Sequence, residues 1–272
     1  MATYIRKYDS ICQFAQYIDS LPEESRGKDT SKRRVDKGWD MGVSFKQALN
    51  VALDGGNWQE GAEQLQSVSI DKAAHELAEV IEPAIIHDVC GGGLDIGEYL
   101  ADSPECFFRL EDVEVVRPIV KIGVCNVPCA NIEAHQMMNH GRAIIALVEA
   151  LELQGYSVEL SALFISRASG DVFISDTAIK QAGEPWSAAS VAYALAHPAF
   201  PRRLGFRELE EDKDCYKMTW QGYGDGRIEK PEGYDLYFKY LDTPYNVDTP
   251  ADALEYVKEI ATKQQPQLLQ GA

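Results

Sequence analysis

The residues of this chain best suited to chemistry are a run of cations followed by a tryptophan. Between residues 26 and 37 the chain has six basic and two acidic residues, so this segment carries 6 − 2 = +4. Cationic side chains neutralise phosphates and aromatic rings stack on bases, a combination typical of single-stranded nucleic-acid binding. The residues predicted to do so are Arg26, Lys28, Lys32, Arg33, Arg34, Lys37 and Trp39.

A second group of cations lies in the sequence HPAFPRRLGFR. We predict Arg202, Arg203 and Arg207 as a secondary DNA-binding face. The stretch that follows, as far as Lys230, interleaves further bases with aromatic residues, and Trp220 or Tyr223 is a further candidate for stacking. It also contains seven acidic residues, so it is not net basic.

The charge of the whole chain opposes nucleic-acid binding unless positive charge is concentrated. The chain has 26 Lys and Arg against 43 Asp and Glu, a net charge of −17. Outside residues 26–37 the charge is therefore −17 − 4 = −21. Because polyanion binding depends on cations at the phosphates, residues 26–37 are the predicted contact. The same run is also explained by a solvated loop that balances an acidic surface.

The sequence signals for a metal site or a catalytic site are weaker than the signal of the basic run at residues 26–37. Cys125, Cys129, His135 and His140 have zinc-ligand identities, but a C2H2 finger needs about a dozen residues between its second Cys and first His. We therefore predict structural roles for these four, no metal, no cofactor and no enzymatic activity. Gly91–Gly93 lies between a strand and a helix, where a phosphate loop would sit, but no Lys-Ser/Thr follows. An enzyme acting there on a phosphorylated small molecule stays an alternative.

The compartment is predicted from what the chain lacks. The first residues, MATYIRKYDSICQF, do not have the charge pattern of a secretory signal, and no apolar run approaches the ~18 residues of a membrane span. The six cysteines are scattered, which favours reduced thiols. We expect a cytoplasmic protein without membrane contact.

Hydrophobic periodicity predicts the elements that position these residues. An exposed, mobile basic loop at 22–38 separates the first two helices, and a boundary near residue 84 divides a mainly helical region (1–83) from a mixed α/β region (84–263). Residues 264–272 are predicted as a loose tail, and the whole as one or two domains. Helices are predicted at 10–20, 44–54, 57–66, 71–82, 131–154, 187–197 and 249–263, with Ser10, Ser44 and Thr249 as the N-caps of three of them.

Strands are predicted at 84–89, 106–110, 113–127, 156–166, 171–175 and 234–241, and a turn entering a helix at 91–102. The order between 113 and 166 is strand, helix, strand, which is typical of a crossover between parallel strands. The predicted fold class is α/β, with mixed α+β also open: a helical N-terminal part packed on a mixed sheet.

Four stretches of the chain resemble a phage family. They are GWDMGVSFKQALNVALDGGNWQEGAEQL (38–65), HDVCGGGLDIGEYLADSPECFF (87–108), GRAIIALVEALELQGYSVEL (141–160) and LAHPAFPRRLGF (195–206). Together they are similar to the single-stranded-DNA-binding RNA polymerase cofactors, the Drc-like proteins, of podoviruses that package an RNA polymerase in the virion.

The resemblance implies binding of single-stranded DNA by a fold that is not an OB-fold, with the phage RNA polymerase as partner, in the cytoplasm of the infected host cell. It assigns no binding residues, which come from the charge argument alone. An acidic protein–protein adaptor, or a DNA mimic that binds no nucleic acid, remains the alternative.

Overall fold

The computed structural model describes residues 2–66, 85–90, 93–110, 118–129, 131–185, 187–223, 225–239, 241–265 and 268. The fold is a mixed α/β arrangement in which helices pack around a five-stranded sheet, as predicted. Within the described ranges, no helix has both the length and the apolar character needed to cross a membrane.

The described strands form two sheets. They are β1 (Thr3–Tyr8), β2 (Ile85–Asp88), β3 (Gly93–Leu94), β4 (Phe107–Leu110), β5 (Ile119–Cys125), β6 (Ser157–Ala168), β7 (Asp171–Lys180) and β8 (Leu236–Phe238). The large sheet has the order β1-β7-β6-β5-β8 and the small antiparallel sheet the order β2-β4-β3. The large sheet is open, with β1 and β8 at its ends, and is not the closed barrel of an OB-fold.

The described α-helices are α1 (Ile11–Asp19), α2 (Lys37–Asp40), α3 (Phe45–Leu53), α4 (Gln59–Gln66), α5 (Ile96–Leu100), α6 (Ala134–Leu153), α7 (Ala188–Ala196), α8 (Phe206–Glu211) and α9 (Pro250–Gln264). A π-helix at Phe200–Gly205 leads into α8, and 3-10 turns occupy Tyr216–Gln221 and Pro244–Val247.

The predicted crossover is confirmed. β5 and β6 are adjacent and parallel, with Ile119 opposite Ser157, and α6 connects them. Val120, Ile122 and Val124 point into the same core as α6, because alternate side chains of a strand share one face. The mixed character of the sheet comes from β7, which is antiparallel to β6.

The helix starts read from the sequence are also confirmed. The Ser10 hydroxyl accepts a hydrogen bond from the Gln13 amide, and Ser44 and Thr249 begin α3 and α9 with reciprocal capping boxes. Such caps satisfy amides that the first helical turn leaves without partners. The helix predicted at 71–82 and the glycines Gly91 and Gly92 lie outside the described residues.

The N-terminal strand was not anticipated from the sequence. β1 pairs in parallel with β7, with Thr3 opposite Val172, and only its last residue, Tyr8, is buried. An edge strand with one neighbour needs little apolar patterning, so its sequence is a weak signal. The core that Tyr8 enters contains side chains from both sides of the boundary predicted near residue 84.

Candidate nucleic-acid interface

The basic loop (residues 22–38) lies against the segment formed by the π-helix, α8 and the following 3-10 turn. Close approach depends on two glycines. A Cβ on Gly27 would lie 2.7 Å from the Thr219 hydroxyl oxygen, and a Cβ on Gly205 would lie 2.4 Å from the Phe164 ring. Gly27 therefore lets the loop approach the 3-10 turn, and Gly205 lets the π-helix approach the sheet.

Glu210 anchors the middle of the basic loop from beneath. One of its carboxylate oxygens accepts hydrogen bonds from the Thr30 and Ser31 amides at 2.8 Å each, and the other accepts the Ser31 hydroxyl. The hydroxyl of Tyr223 donates to the same carboxylate. Burial raises the pKa of Glu210, while the hydrogen bonds from Ser31 and Tyr223 oppose that rise.

Arg203 anchors the end of the loop from the same side. Its buried guanidinium donates to the carbonyls of Ser31 and Arg33 at 2.8 and 2.7 Å, and to that of Val43 at 3.1 Å. It also pairs with the buried Asp40 carboxylate at 2.6 Å. One arginine thus binds the carbonyls of two loop residues and that of Val43, which follows the loop.

The neighbouring arginines act in the same way. Arg202 donates to the carbonyl of Trp39 at 2.6 Å, and Arg207 donates to the Pro22 carbonyl and the Ser25 hydroxyl. Arg207 also lies 3.6 Å from the Glu211 carboxylate. We name Arg202, Arg203 and Arg207 the arginine cluster.

The arginine cluster does not form the secondary DNA-binding face that the sequence analysis predicted. Arg202, Arg203 and Arg207 are 4%, 0% and 1% exposed, and their donors are taken by backbone carbonyls, the Ser25 hydroxyl and carboxylates. A buried guanidinium is stable here because its nitrogen atoms gain acceptors in the protein when they leave water. These three residues support the loop from inside.

The prediction of an exposed, mobile loop needs a similar correction. The side chains of most of residues 22–38 are exposed, as expected. The backbone, however, is held by Glu210, by the arginine cluster and by the bond from the Lys28 amide to the Thr219 hydroxyl at 3.0 Å. The sequence does not reveal these contacts, because in sequence the acidic residues after the arginines only reduce the net positive charge of that stretch.

The outer side of the loop displays most of the predicted cations. Arg26, Lys28, Arg33, Arg34 and Lys37 are exposed, whereas Lys32 is half-buried and its ammonium donates to the Glu23 carbonyl. Arg26 pairs loosely with Glu211 at 3.5 Å, and Arg33 with Asp36 at 3.7 Å. Among the described residues, Lys28, Arg34 and Lys37 form no ion pair.

Trp39, predicted as a stacking residue, is half-buried beneath cations. The guanidinium carbon of Arg33 lies 4.5 Å from the ring centroid, and those of Arg202 and Arg203 lie 5.5 and 5.6 Å away. Attraction between a guanidinium and an aromatic face keeps the ring in contact with Arg33. A base reaching that face of Trp39 has to displace Arg33.

An aromatic ring that is more accessible to a base than Trp39 lies on the 3-10 turn. Trp220 is 66% exposed and directly follows Thr219, the residue that binds the Lys28 amide. Tyr223, by contrast, is buried and stacks on Phe206 with ring centroids 3.9 Å apart. We therefore define the basic surface as the exposed side chains of residues 26–37 together with Trp39 and Trp220.

Cys125, Cys129, His135 and His140, the four residues of types that bind zinc, differ in their exposure to solvent. Burial raises the pKa of the Cys125 thiol to about 12 and lowers that of His140 to about 4. His135 is exposed and lies between Glu133 and Asp248. In the part of the chain that the structure describes, no three or more His, Cys, Asp or Glu side chains are grouped to hold a metal ion.

Comparison with known proteins gives a family and no function. Residues 2–264 match the model of a family described as "Domain of unknown function (DUF7192)". No curated protein and no solved structure matches the chain.

Proposed function

The chain belongs to the DUF7192 family, whose function is unknown, and we propose that it binds single-stranded DNA as a transcription cofactor that supports a phage RNA polymerase. The observation that carries the proposal is the two-sided basic loop: its backbone is held from inside by buried groups while its cations face outward. Such a loop presents charge with little ordering left to occur on binding, which favours affinity.

The chemistry of the basic surface fits a single strand better than a duplex. Exposed cations neutralise backbone phosphates, and the exposed indole of Trp220 offers a face on which an unpaired base stacks. Bases in a duplex are already stacked and present only their edges in the grooves. The acidic remainder of the surface repels nucleic acid and thereby confines binding to this one region.

The transcription part of the proposal is supported by the resemblance to the Drc-like phage proteins. A single-stranded DNA binder serves a polymerase where the duplex has opened, so the phage RNA polymerase is the proposed partner and the infected cell's cytoplasm the proposed location. This function needs no catalytic residue, metal or cofactor.

The first test is a salt titration of binding to a labelled single-stranded oligonucleotide and to its duplex. If all five exposed bases meet phosphates, the log–log salt slope for the single strand is about −3.5, at roughly 0.7 per contact. The variant K28A/R34A/K37A should flatten that slope by about 2. The control K121A/R227A/K258A makes the same charge change at exposed positions outside the basic surface and should leave the slope unchanged.

A second test concerns stacking. Trp220→Ala should weaken single-strand binding by a factor of roughly 5 to 150, because base–aromatic stacking contributes about 1–3 kcal/mol. Tryptophan fluorescence of the wild-type protein should be quenched on binding, and Trp220→Ala should remove most of that quenching. The proposal fails if no single strand binds at low salt, or if the two triple variants behave alike.

A second candidate function, an acidic protein–protein adaptor, is favoured by a different region. Around α5, large apolar side chains lie in solvent, with Leu100 78% and Ile96 67% exposed. Asp95, Glu98 and Asp102 belong to the same segment. Large exposed apolar groups beside acidic residues suit a basic polypeptide partner with apolar side chains.

The two candidates are separated by one pair of variants. I96E/L100E should abolish capture of the purified polymerase while leaving single-strand affinity unchanged, if the α5 region is the protein contact. The triple variant of the basic loop should lower the single-strand affinity and leave capture of the polymerase unchanged. Loss of polymerase capture in the loop variant alone would remove the adaptor candidate.

A further inference from the structure

We propose that a cleft beside the edge strand β8 binds an organic anion with an apolar body. The cleft has a volume of about 410 Å³, within the range of about 300–1,000 Å³ typical of small-molecule sites. It lies on elements that contribute nothing to the basic surface, so it forms a separate site. Its lining residues are Ile228, Glu229, Lys230, Tyr237, Lys239, Ile260, Lys263 and Gln264.

The walls of the cleft are fixed to one another by a side-chain clamp. The Gln264 side chain accepts from the Tyr237 amide at 2.9 Å and donates to the Tyr237 carbonyl at 2.7 Å. It thereby satisfies the outer edge of β8, which no strand covers in the described sheet. Because Gln264 is the last residue of α9, the same contact holds that helix beside β8 and keeps the cleft open.

The charge of the cleft is positive in an acidic protein. Three lysines and one glutamate line it, and Glu259 pairs with one of the lysines, giving 3 − 2 = +1. Lys263 is neutralised by Glu259 at 2.5 Å, and Lys230 donates to the Asp235 carbonyl at 3.1 Å, which leaves its charge in place. Neither Lys230 nor Lys239 forms an ion pair within the described part of the chain. Two ammonium groups are thus available to an anion.

Apart from Gln264, the rest of the lining is apolar. It consists of Ile228 and Ile260, both partly buried, and Tyr237. An inorganic anion would leave that surface in water, whereas a ligand with an aromatic or alkyl body would cover it. The lining therefore selects a carboxylate, sulfonate or phosphate ester attached to an apolar group.

Tyr237 adds a second indication of a ligand. Its side chain is 4% exposed, and its hydroxyl is buried without a hydrogen-bond partner. Buried polar groups in folded proteins nearly always have a partner. A ligand oxygen that reached this hydroxyl would supply it.

The test uses two fluorescent probes of similar shape, 8-anilinonaphthalene-1-sulfonate, an anion, and N-phenyl-1-naphthylamine, which is neutral. We expect the anion to bind the wild-type protein saturably at one site, at least fivefold more tightly than the neutral probe. The variant K230Q/K239Q should weaken binding of the anion at least fivefold. The control K121Q/K258Q removes the same charge from exposed lysines outside the cleft and should bind as the wild type does.

Hydrogen–deuterium exchange locates the site on the intact protein. Binding of the anion should slow exchange in residues 228–239 and 256–264, and inorganic phosphate at the same concentration should not. Protection confined to other segments would overturn the proposal, as would equal affinities in the two lysine variants or absence of saturable binding. Single-strand affinity is measured in parallel, so failure of the cleft and failure of the basic surface are read separately.

Discussion

The basic loop and the arginine cluster contain the same kind of charge and lie on opposite sides of one contact. Most of the loop's cations at 26–37 face solvent, while Arg202, Arg203 and Arg207 lie beneath them and donate to carbonyls of the loop and of Trp39 directly after it. In sequence both are short basic runs near aromatic residues. Local charge density therefore does not reveal which cations reach solvent.

The difference has a physical basis in side-chain chemistry. The buried cluster consists of arginine alone, whereas the loop mixes lysine and arginine. A guanidinium has five donors in a rigid plane and is weakly hydrated, so it tolerates burial where several carbonyls converge. The acidic residues after the cluster, Glu208 to Asp212, are buried with it. An all-arginine run between apolar residues, followed by clustered acids, is thus a usable signal for an interior network.

The largest expected loss of stability is at Arg203. Arg203→Ala should destabilise the protein by about 3–5 kcal/mol, because it leaves the Asp40 carboxylate buried without its partner. Urea unfolding followed by circular dichroism measures this loss. A change below about 1 kcal/mol would mean that the cluster is not an interior support.

The second prediction concerns the acid that holds the loop backbone. Glu210→Ala should cost about 3 kcal/mol, since the amide and hydroxyl of Ser31 lose their acceptor. The Thr30 amide and the Tyr223 hydroxyl each lose one of two acceptors. The freed loop should then be cut by trypsin at its exposed bases faster than in the wild type. Unchanged cleavage at residues 26–37 would contradict the anchoring role.

The third prediction is a pH dependence at Glu208, which accepts a hydrogen bond from the Tyr8 hydroxyl at 2.7 Å. Burial raises the pKa of Glu208 from 4.5 to about 7. A carboxyl whose pKa rises on folding stabilises the folded state when protonated, so that contribution is present below pH 4.5 and is lost as the pH rises through 7.

Wild-type stability should therefore lose about 2 kcal/mol between pH 5 and pH 7 from this group. Glu208→Gln should remove that component, so the variant gains stability relative to the wild type as the pH rises. Urea unfolding of both proteins at the two pH values measures the difference. A constant gap between the two curves would exclude ionisation of Glu208 as the cause.

The smallest expected effect is at the outer side of the loop. Arg34→Ala should change the free energy of unfolding by less than about 0.5 kcal/mol, because Arg34 is exposed and forms no ion pair among the described residues. This variant is the matched arginine control for Arg203→Ala. A loss of stability as large as that of Arg203→Ala would show that the two regions do not differ in their contribution to stability.

Most of the fold followed from local patterns. The starts of α1, α3 and α9 were predicted from Ser10, Ser44 and Thr249, and the β5–α6–β6 crossover from the order of its elements. These features depend on residues near in sequence, such as caps and apolar periodicity. β1 escaped prediction because its pairing with β7 joins residues about 170 positions apart.

For the candidate site, the sequence alone determined where positive charge is concentrated and that the rest of the chain is acidic. Only the tertiary structure decided which cations are accessible. Arg203 turns inward to pair with Asp40 and to bind three distant carbonyls, and Arg33 covers Trp39. Thr219, the residue before Trp220, accepts the Lys28 amide. The reason is that burying a charge depends on partners converging from remote parts of the chain, and no local pattern specifies that convergence.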